Sequence, residues 1–329
     1  LSRLRWLDST LGRSPDGAPP APFAAVEAAA AAGGGPTLAA TMGEMALGAD
    51  GLPTQLYAGA GTAGVAPLRA RGGRLALLAS PIALNVHVRH HPGVGAQPVR
   101  WVVEQPAAIV GAPSQQSARW GASLASADGA LRLGVRGEWQ FDAQAFLELT
   151  LSATRDVALD DVELLLPLVA ARARHVMGFG EAGGLLEGRA PIRWRWEEGL
   201  GNYLVWLGDA AAGVRLRLTG SAPGFESPQH LMTASDIPDG WHNGGHGGAV
   251  VEADGSVRAF SGARALRAGE SVELRFELLL TPCKPLVPSA HWGMRYYQVG
   301  YPDTALVQPD EVARQGARVI NIHQGVDGL

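Results

Sequence analysis

The chain is poor in cysteine, in charged residues and in long apolar segments. Cys283 is the one cysteine among 329 residues, which excludes an intrachain disulfide and a cysteine-based zinc cluster. No apolar run reaches eighteen residues, so no membrane-spanning helix is expected. Charged residues make up 18%, and a net charge of −4 gives no basic surface for nucleic acid. We therefore expect no nucleic acid, membrane span, metal or other cofactor, and a structural role for Cys283.

The body of the chain has the pattern of antiparallel β-structure. Between residues 36 and 282, short alternating or β-branched runs recur every 8–12 residues and are separated by glycine, aspartate and proline. We predict a hairpin from 130–141 and 145–153, another over 250–260, and a long final strand over 271–281. The length favours one large two-sheet sandwich or two fused sandwiches over residues 1–284. A short helix is allowed at 26–32, because alanine is a strong helix former.

The last residues predict a different architecture. A proline-rich crossing at 281–288 places a domain boundary near residue 285. RYYQVGY is then a β-prone run, and a helix follows with Pro309 in its first turn and Gly316 at its C-cap. ARVINI is a second short strand, and a strand–helix–strand unit belongs to a parallel sheet. We predict that residues 285–329 are the linker and first strands of a truncated (β/α)8 barrel.

Both ends of the chain are expected to be internal to a longer protein. One strand–helix–strand unit cannot close a barrel, so the barrel is expected to continue after Leu329. The sequence begins at Leu1 without an initiating methionine or a signal-peptide pattern.

Polar residues alternate along the two predicted barrel strands. In VINIHQ, Ile320 and Ile322 are expected to face the covering helices, so Asn321 and His323 point into the barrel. The same alternation points Gln298 inward on the first strand. His323 stands at the C-terminal end of its strand, where parallel barrels carry their chemistry. We predict His323, Asn321 and Gln298 as substrate-binding residues, and a buried polar network inside the barrel is the alternative.

The string WHNGGHGG (241–248) is the most unusual local sequence. His242 and His246 have the spacing of a metal site on a helix, but four glycines disfavour that helix. The preferred interpretation is a glycine-rich turn in which Trp241 packs. The alternative adds Trp241 to the predicted substrate-binding residues, on a loop that reaches the mouth of the barrel and touches a sugar.

Adjacent carboxylates and tryptophans invite a catalytic or sugar-binding interpretation, and each has a simpler explanation. The acidic pair at 310–311 lies at a predicted helix start, where negative charge is favourable. The pair at 197–198 is predicted as a polar turn, and the pair at 160–161 as a loop before a strand. Trp194 and Trp196 share one face of a strand, and core filling is the preferred interpretation over sugar stacking.

Several strings together resemble the β-sandwich region associated with glycoside hydrolase family 123 and its relatives. The strings span most of the chain and are LRWLDSTLG (4–12), GLPTQLYAG (51–59), WLGDAAAGVRLRL (206–218), WHNGGHGGAVV (241–251), LLLTPCKPL (278–286), RYYQVGY (295–301) and GARVINIHQG (316–325).

The resemblance implies a large β-sandwich that precedes a TIM-barrel catalytic domain. Family 123 acts on β-linked N-acetylgalactosamine, with the substrate's acetamido group as nucleophile and an Asp-Glu pair that orients it. The resemblance places that pair beyond Leu329, so no catalytic residue is expected in this chain. It implies a glycan partner and an extracellular or periplasmic location.

The resulting hypothesis is an inactive N-terminal part of a glycosidase acting on N-acetylhexosamine-containing glycans. The alternatives are a non-catalytic carbohydrate-binding or cell-surface β-sandwich, and a scaffold sandwich that contacts other proteins.

Overall fold

A computed structural model gives the architecture of most of the chain. The residues it describes are 17–30, 34–59, 73–89, 97–196, 203–220, 238–285, 293, 295–300 and 309–323. Two compact units divide the chain, Leu1–Pro285 and Leu286–Leu329. No helix in the described ranges has the length and hydropathy needed to cross a membrane.

The first unit opens with a small antiparallel sheet in which each strand pairs with the next. Its strands are β1 (Glu27–Ala29), β2 (Thr37–Ala39), β3 (Gly43–Leu47), β4 (Pro53–Gly59) and β5 (Arg74–Ala76). The helix allowed at 26–32 is wrong for the described residues, since Glu27–Ala29 pairs with Thr37–Ala39 as a strand. Val26 is buried in the core. Sheet pairing therefore overrides the local helix propensity of the alanines.

Two larger antiparallel sheets follow. Their strands are β6 (Ala83–Val88), β7 (Gln97–Pro98), β8 (Trp101–Ile109), β9 (Ser117–Ser126), β10 (Leu131–Gln140), β11 (Gln144–Ala153), β12 (Val157–Leu166), β13 (His175–Gly178), β14 (Glu181–Leu185), β15 (Ile192–Arg195), β16 (Leu204–Gly208), β17 (Gly213–Thr219), β18 (Gly248–Val251), β19 (Val257–Phe260), β20 (Arg264–Leu266) and β21 (Ser271–Thr281). A one-turn helix, α1 (Asp239–His242), and a 3-10 turn, Asn243–Gly245, precede β18.

In the described residues the large sheet has the order β14-β13-β16-β17-β21-β11-β10-β9-β8, and the second sheet has the order β15-β18-β19-β12-β6-β7 with β20 beside β12. The hairpin predicted from 130–141 and 145–153 is confirmed as β10 and β11, which pair from Leu131↔Ala153 to Trp139↔Ala145. The final strand predicted at 271–281 is confirmed as β21. This strand joins β11 to β17, so residues distant in sequence meet at the centre of the large sheet.

Alternation along the strands separates the core from the solvent-facing surface. On β11 the buried positions are every second residue from Ala145 to Ala153, and the positions between them are half-buried. Buried residues of the two larger sheets and of the small sheet form one hydrophobic core. The predicted mainly β fold with an antiparallel sandwich is confirmed for the described part of the first unit.

The acidic pair at 160–161 lies inside β12, which corrects the prediction of a loop before a strand. The pairing of β12 with β6 shifts register between Leu159 and Asp161, which marks a bulge. Asp161 accepts backbone hydrogen bonds from Val162 and Gly262, both at 2.7 Å. Burial, the largest influence, raises the pKa of Asp161. Its carboxylate therefore holds the bulge in place.

The second unit contains the predicted strand–helix–strand sequence. Its described elements are β22 (Arg295–Gly300), α2 (Pro309–Arg314) and β23 (Ala317–His323), and the two strands pair in parallel. Asp310 and Glu311 lie in the first turn of α2, and Gly316 follows its end at φ +88°. This unit matches the predicted pattern of one β–α–β repeat.

Candidate functional site

The solvent-facing side of the large sheet carries a cavity of about 390 Å³, here called the groove. It crosses five neighbouring strands, β9, β10, β11, β21 and β17. Its lining residues are Arg119, Arg136, Gly137, Glu138, Phe146, Leu147, Glu148, Arg217, Thr219, Gly220, Arg275, Phe276 and Glu277. Most of them alternate with core residues along their strands, so one side of each strand builds the core and the other builds the groove.

A row of cross-strand neighbours forms the floor of the groove. Glu138 pairs with Arg119 on one side and with Phe146 on the other, and Phe146 in turn pairs with Glu277 and Glu277 with Arg217. Strands lie about 4.8 Å apart, so this row of five residues spans roughly 19 Å. A half-buried phenyl ring therefore lies between two acid–arginine pairs.

A second row next to the first repeats the alternation of charge. Glu148 lies between two arginines, 3.5 Å from Nη1 of Arg136 and 2.9 Å from Nη2 of Arg275. Arg275 also contacts Glu273 at 3.0 Å. The groove lining thus carries four arginines and three glutamates, and its charges nearly cancel.

Glu277 is the most enclosed carboxylate of the groove. Its side chain is 12% exposed, and Oε2 lies 3.6 Å from both Arg215 and Arg217. The amide of Gln144 donates to the same oxygen at 3.2 Å. Burial lowers the pKa of Arg215, and the charge of Glu277 opposes that shift. These contacts hold the Glu277 carboxylate in place on the floor of the groove.

Glu138 is held as a carboxylate. Burial disfavours its charged form, but hydrogen bonds from Arg119 and Ser117, together with the charge of Arg119, outweigh this and lower its pKa. Nε of Arg119 donates to Oε2 of Glu138 at 2.9 Å. The groove is therefore a preset array of donors and acceptors at neutral pH.

Replacing Glu138 by glutamine is expected to reduce the acid sensitivity of the fold. A lowered folded-state pKa means that the carboxylate stabilises the fold above about pH 4.3 and that this contribution is lost as the pH falls through the folded-state pKa. We expect Glu138→Gln to be less stable than the parent chain at pH 7, and the difference to shrink below about pH 4. Urea unfolding at a series of pH values measures it.

Glu104→Gln is the matched control for this measurement. The Glu104 side chain is 40% exposed and lies 3.9 Å from Arg132. Such an exposed ion pair contributes little, so no change in stability is expected at any pH. A loss in Glu138→Gln that stays constant with pH would contradict the prediction.

A buried row of aromatic rings contacts the groove residue Arg217. Nη2 of Arg217 donates to the hydroxyl of Tyr203 at 3.0 Å, and Tyr203 stacks on Trp196 at 6.3 Å. Trp196 contacts Trp194 at 4.6 Å, and Trp194 stacks on Phe179 at 4.9 Å. Trp194 and Trp196 are each 7% exposed. The prediction that these two tryptophans fill the core is confirmed.

Trp241 contacts the backbone of the groove residue Arg275 and is not among the residues that line the groove. Its side chain is fully buried, and its indole N–H donates to the carbonyl of Arg275 at 2.6 Å. The preferred interpretation, a packed tryptophan, is confirmed. The buried ring has no surface to offer a sugar, so the assignment of Trp241 as a substrate-binding residue is corrected to a structural role.

A one-turn α-helix, Asp239–His242, precedes the four glycines of the segment 241–248, so no α-helix carries both His242 and His246, as predicted. Gly240 is required there, since a Cβ would lie 1.9 Å from the carbonyl oxygen of Glu273. The side chain of Asn243 donates to the carbonyls of Ser261 and Ala263, both at 2.8 Å, and anchors the turn. The α-helix ends at His242. Among the described residues, no group of three or more histidine, cysteine or acidic side chains could hold a metal ion.

The three predicted residues of the barrel strands meet through their backbone register. Gln298 pairs with Asn321, and His323 pairs with Gly300. The register shifts only between Arg295 and Tyr296, before these pairs. Asn321 and His323 are two residues apart in β23 and thus occupy alternate positions on one side of the strand. Substrate binding by His323, Asn321 and Gln298 stays a prediction. The acidic pair at 197–198 lies outside the described residues.

The sequence interpretation did not identify the groove. The signal was present in strings such as LRLGVRGEWQ, VRLRLT and SVELRFELLLT, where arginine and glutamate alternate with apolar residues. The same pattern is typical of any solvated sheet face. It becomes a site only because β21 lies between β11 and β17 and so joins Arg275 and Glu277 to Phe146 and Arg217.

Comparison with known proteins relates this fold to several solved structures. The Slr1438 protein from Synechocystis is 9% identical, with 74% of this chain and 91% of that chain covered and a TM-score of 0.41. The alpha-galactosidase AgaA from Geobacillus stearothermophilus is 11% identical, with 78% and 40% covered and a TM-score of 0.40. A putative aldose 1-epimerase from Escherichia coli is 10% identical, with 78% and 99% covered and a TM-score of 0.39.

These structural similarities are not used to assign the chain to a family. The matched region spans 40% of the alpha-galactosidase chain, so that chain is much longer than the shared part. None of the curated proteins matches the chain.

The fold is that of a β-sandwich protein with a second, α/β unit. The sandwich is antiparallel and has a polar face, and the second unit contains a parallel strand–helix–strand element. The family model described as glycoside hydrolase 123, third domain, matches residues 34–282, which is well over half of the chain. The chain belongs to the glycoside hydrolase 123 family, and the resemblance found in its sequence is confirmed. The matched region is a domain related to carbohydrate-active enzymes.

Proposed function

We propose that this chain is the accessory β-sandwich, residues 1–284, and the first barrel strands, residues 285–329, of a glycosidase that acts on N-acetylhexosamine-containing glycans. The family match over residues 34–282 carries the proposal. The parallel pairing of β22 with β23 supports it, since parallel strands joined by a helix are the repeating unit of a (β/α)8 barrel. An extracellular or periplasmic location belongs to the same proposal.

The sandwich itself is proposed to be non-catalytic. A general acid needs a raised pKa, whereas hydrogen bonding lowers the pKa of Glu138 despite its burial. Glu148 and Glu277 each contact two arginines, so both carboxylates are already engaged in ion pairs. The family resemblance places the catalytic Asp-Glu pair on a later barrel strand.

The chain of residues 1–329 is expected not to hydrolyse aryl N-acetylhexosaminides. The purified chain is assayed with chromogenic β-N-acetylgalactosaminide and β-N-acetylglucosaminide, with an active hexosaminidase as the positive control. Release of the aryl group at the rate of a protein-free blank is the expected result. Hydrolysis that is abolished by Glu148→Gln or Glu277→Gln would contradict the proposal, since it would place a catalytic acid in the groove.

The second candidate function is a non-catalytic carbohydrate-binding or cell-surface sandwich. The groove favours it, because the aromatic and polar residues that line it in the described part of the chain all belong to the sandwich. Two experiments on a longer form of the protein, one that contains the complete barrel, separate the two candidates. They are cellular fractionation and hydrolysis assays. Turnover of a glycan by that protein supports the glycosidase, and surface retention without turnover supports the second candidate.

A further inference from the structure

The groove has the dimensions of a small-molecule site. Its volume of about 390 Å³ lies within the range of roughly 300 to 1,000 Å³ that such sites occupy. It is built on the middle strands of the large sheet, where every strand is paired on both sides. A site on paired strands keeps its side chains at fixed separations, and this reduces the entropy lost when a ligand binds.

The charge balance of the groove selects a neutral ligand. An anion near Arg275 would also meet Glu148, which is 2.9 Å away, and a cation near Glu138 would meet Arg119 at the same distance. At both of these places a charge of either sign meets an opposing partner as well as a matching one. A neutral molecule with hydroxyl groups can accept from an arginine and donate to the neighbouring glutamate at the same time.

Phe146 supplies the apolar part of the site. Its cross-strand neighbours Glu138 and Glu277 lie on either side of it, and the ring is half-buried in the groove. A flat apolar surface bordered by fixed donors and acceptors matches a pyranose ring, which has an apolar face of C–H groups and a rim of hydroxyls.

We propose that the groove is a non-catalytic binding site for a neutral saccharide of one or two pyranose rings, with Phe146 as the stacking surface. Glu138, Arg217, Arg275 and Glu277 hydrogen-bond the hydroxyls. The choice of a saccharide among neutral polar ligands rests on the proposed function. The position of the site and the balance of its charges are observed in the groove and do not depend on the proposed function.

Isothermal titration of the 1–329 chain with galactose, N-acetylgalactosamine, N-acetylglucosamine and a disaccharide of each tests the proposal. We expect saturable binding of at least one of these sugars, and Phe146→Ala should weaken it about tenfold or more. Phe260→Ala is the matched control, because Phe260 lies on the second sheet between Arg195 and Arg258, at 4.9 and 5.1 Å from their guanidinium carbons. That variant should bind like the parent chain.

Phe146→Leu separates a loss of sugar binding from a loss of the fold. It keeps a branched apolar side chain and removes the flat ring, so binding should fall while circular dichroism and the melting temperature stay close to those of the parent. The absence of binding to every sugar tested would overturn the inference. Equal weakening by Phe146→Ala and Phe260→Ala would also overturn it, as would tighter binding of glucuronic acid or a sulfated sugar than of any neutral one.

This experiment is separate from the test of the proposed function. Failure of sugar binding in the groove would leave the barrel chemistry untouched. Failure of the longer form with the complete barrel to hydrolyse glycans would leave the titration result standing.

Discussion

Replacing Trp241 by alanine is expected to destabilise the first unit by about 3–5 kcal/mol, the cost typical of deleting a fully buried aromatic side chain. The ring is fully buried, and its N–H bonds the carbonyl of Arg275 at the point where β17 ends its pairing with β21. Removal of the ring opens a cavity and leaves that carbonyl without its indole donor. Urea unfolding followed by circular dichroism measures the loss.

Comparison of Trp241→Ala with Trp241→Phe separates the packing of Trp241 from its hydrogen bond. Trp241→Phe keeps much of the apolar volume and removes the N–H, so a loss of about 1–3 kcal/mol is expected. Trp206→Ala is the matched control, since Trp206 is half-buried on the solvent-facing side of the large sheet and donates to the hydroxyl of Thr281 at 3.0 Å. Its loss should be smaller, because less of the side chain leaves water on folding.

The outcome decides the role of Trp241. A loss below about 1 kcal/mol in Trp241→Ala, combined with weaker glycan binding, would contradict a structural role and restore a substrate contact. A large loss of stability in the same variant supports a buried indole that bonds the Arg275 carbonyl.

The strands were predictable where one face of a strand is buried and the other is solvated. The limits of β10, β11 and β21 follow from alternation, because a period of two places apolar residues on the core side. The unit after residue 290 was predictable because its helix signals, from Pro309 to Gly316, stand between two short apolar runs.

The groove was not predictable, because it depends on the order of the strands. Phe146 and Glu277 are 131 positions apart in the sequence and neighbours in the sheet. Nothing local in either segment specifies that pairing. The bulge at Asp161 was not predicted for a related reason, since Gly262, 101 positions away, bonds its carboxylate. The strand at Glu27–Ala29 was not predicted because the helix propensity of its alanines hid its pairing with Thr37–Ala39.

His323→Ala is expected to lower kcat/KM about tenfold to a hundredfold in a longer form of the protein that contains the complete barrel. β22 and β23 pair without a shift from Tyr296↔Val319 to Gly300↔His323, so the alternation along β23 is unbroken over these residues. A slip of one residue would exchange the two faces of so short a strand. His323 lies at the C-terminal end of β23, the end at which parallel barrels hold their substrates.

The size of the effect follows from the chemistry of an imidazole. A neutral ring donates from one nitrogen and accepts at the other, which suits a sugar hydroxyl or an orienting bond to a catalytic carboxylate. Loss of a hydrogen bond to a charged group costs about 1.5–3 kcal/mol, which corresponds to roughly tenfold to a hundredfold in rate. The melting temperature should stay close to that of the parent protein, since no apolar packing is removed.

Ile322→Ala is the matched control on the neighbouring position of the same strand. The alternation of VINIHQ predicts that Ile322 faces the covering helices, so its truncation should cost stability, by about 2–5 kcal/mol, and leave the kinetics of the folded protein unchanged. Steady-state kinetics and thermal unfolding of both variants give the comparison. The reverse pattern, with stability lost in His323→Ala and turnover lost in Ile322→Ala, would show that the inward face of the strand is the one that carries the isoleucines and would end the assignment of His323 to the substrate site.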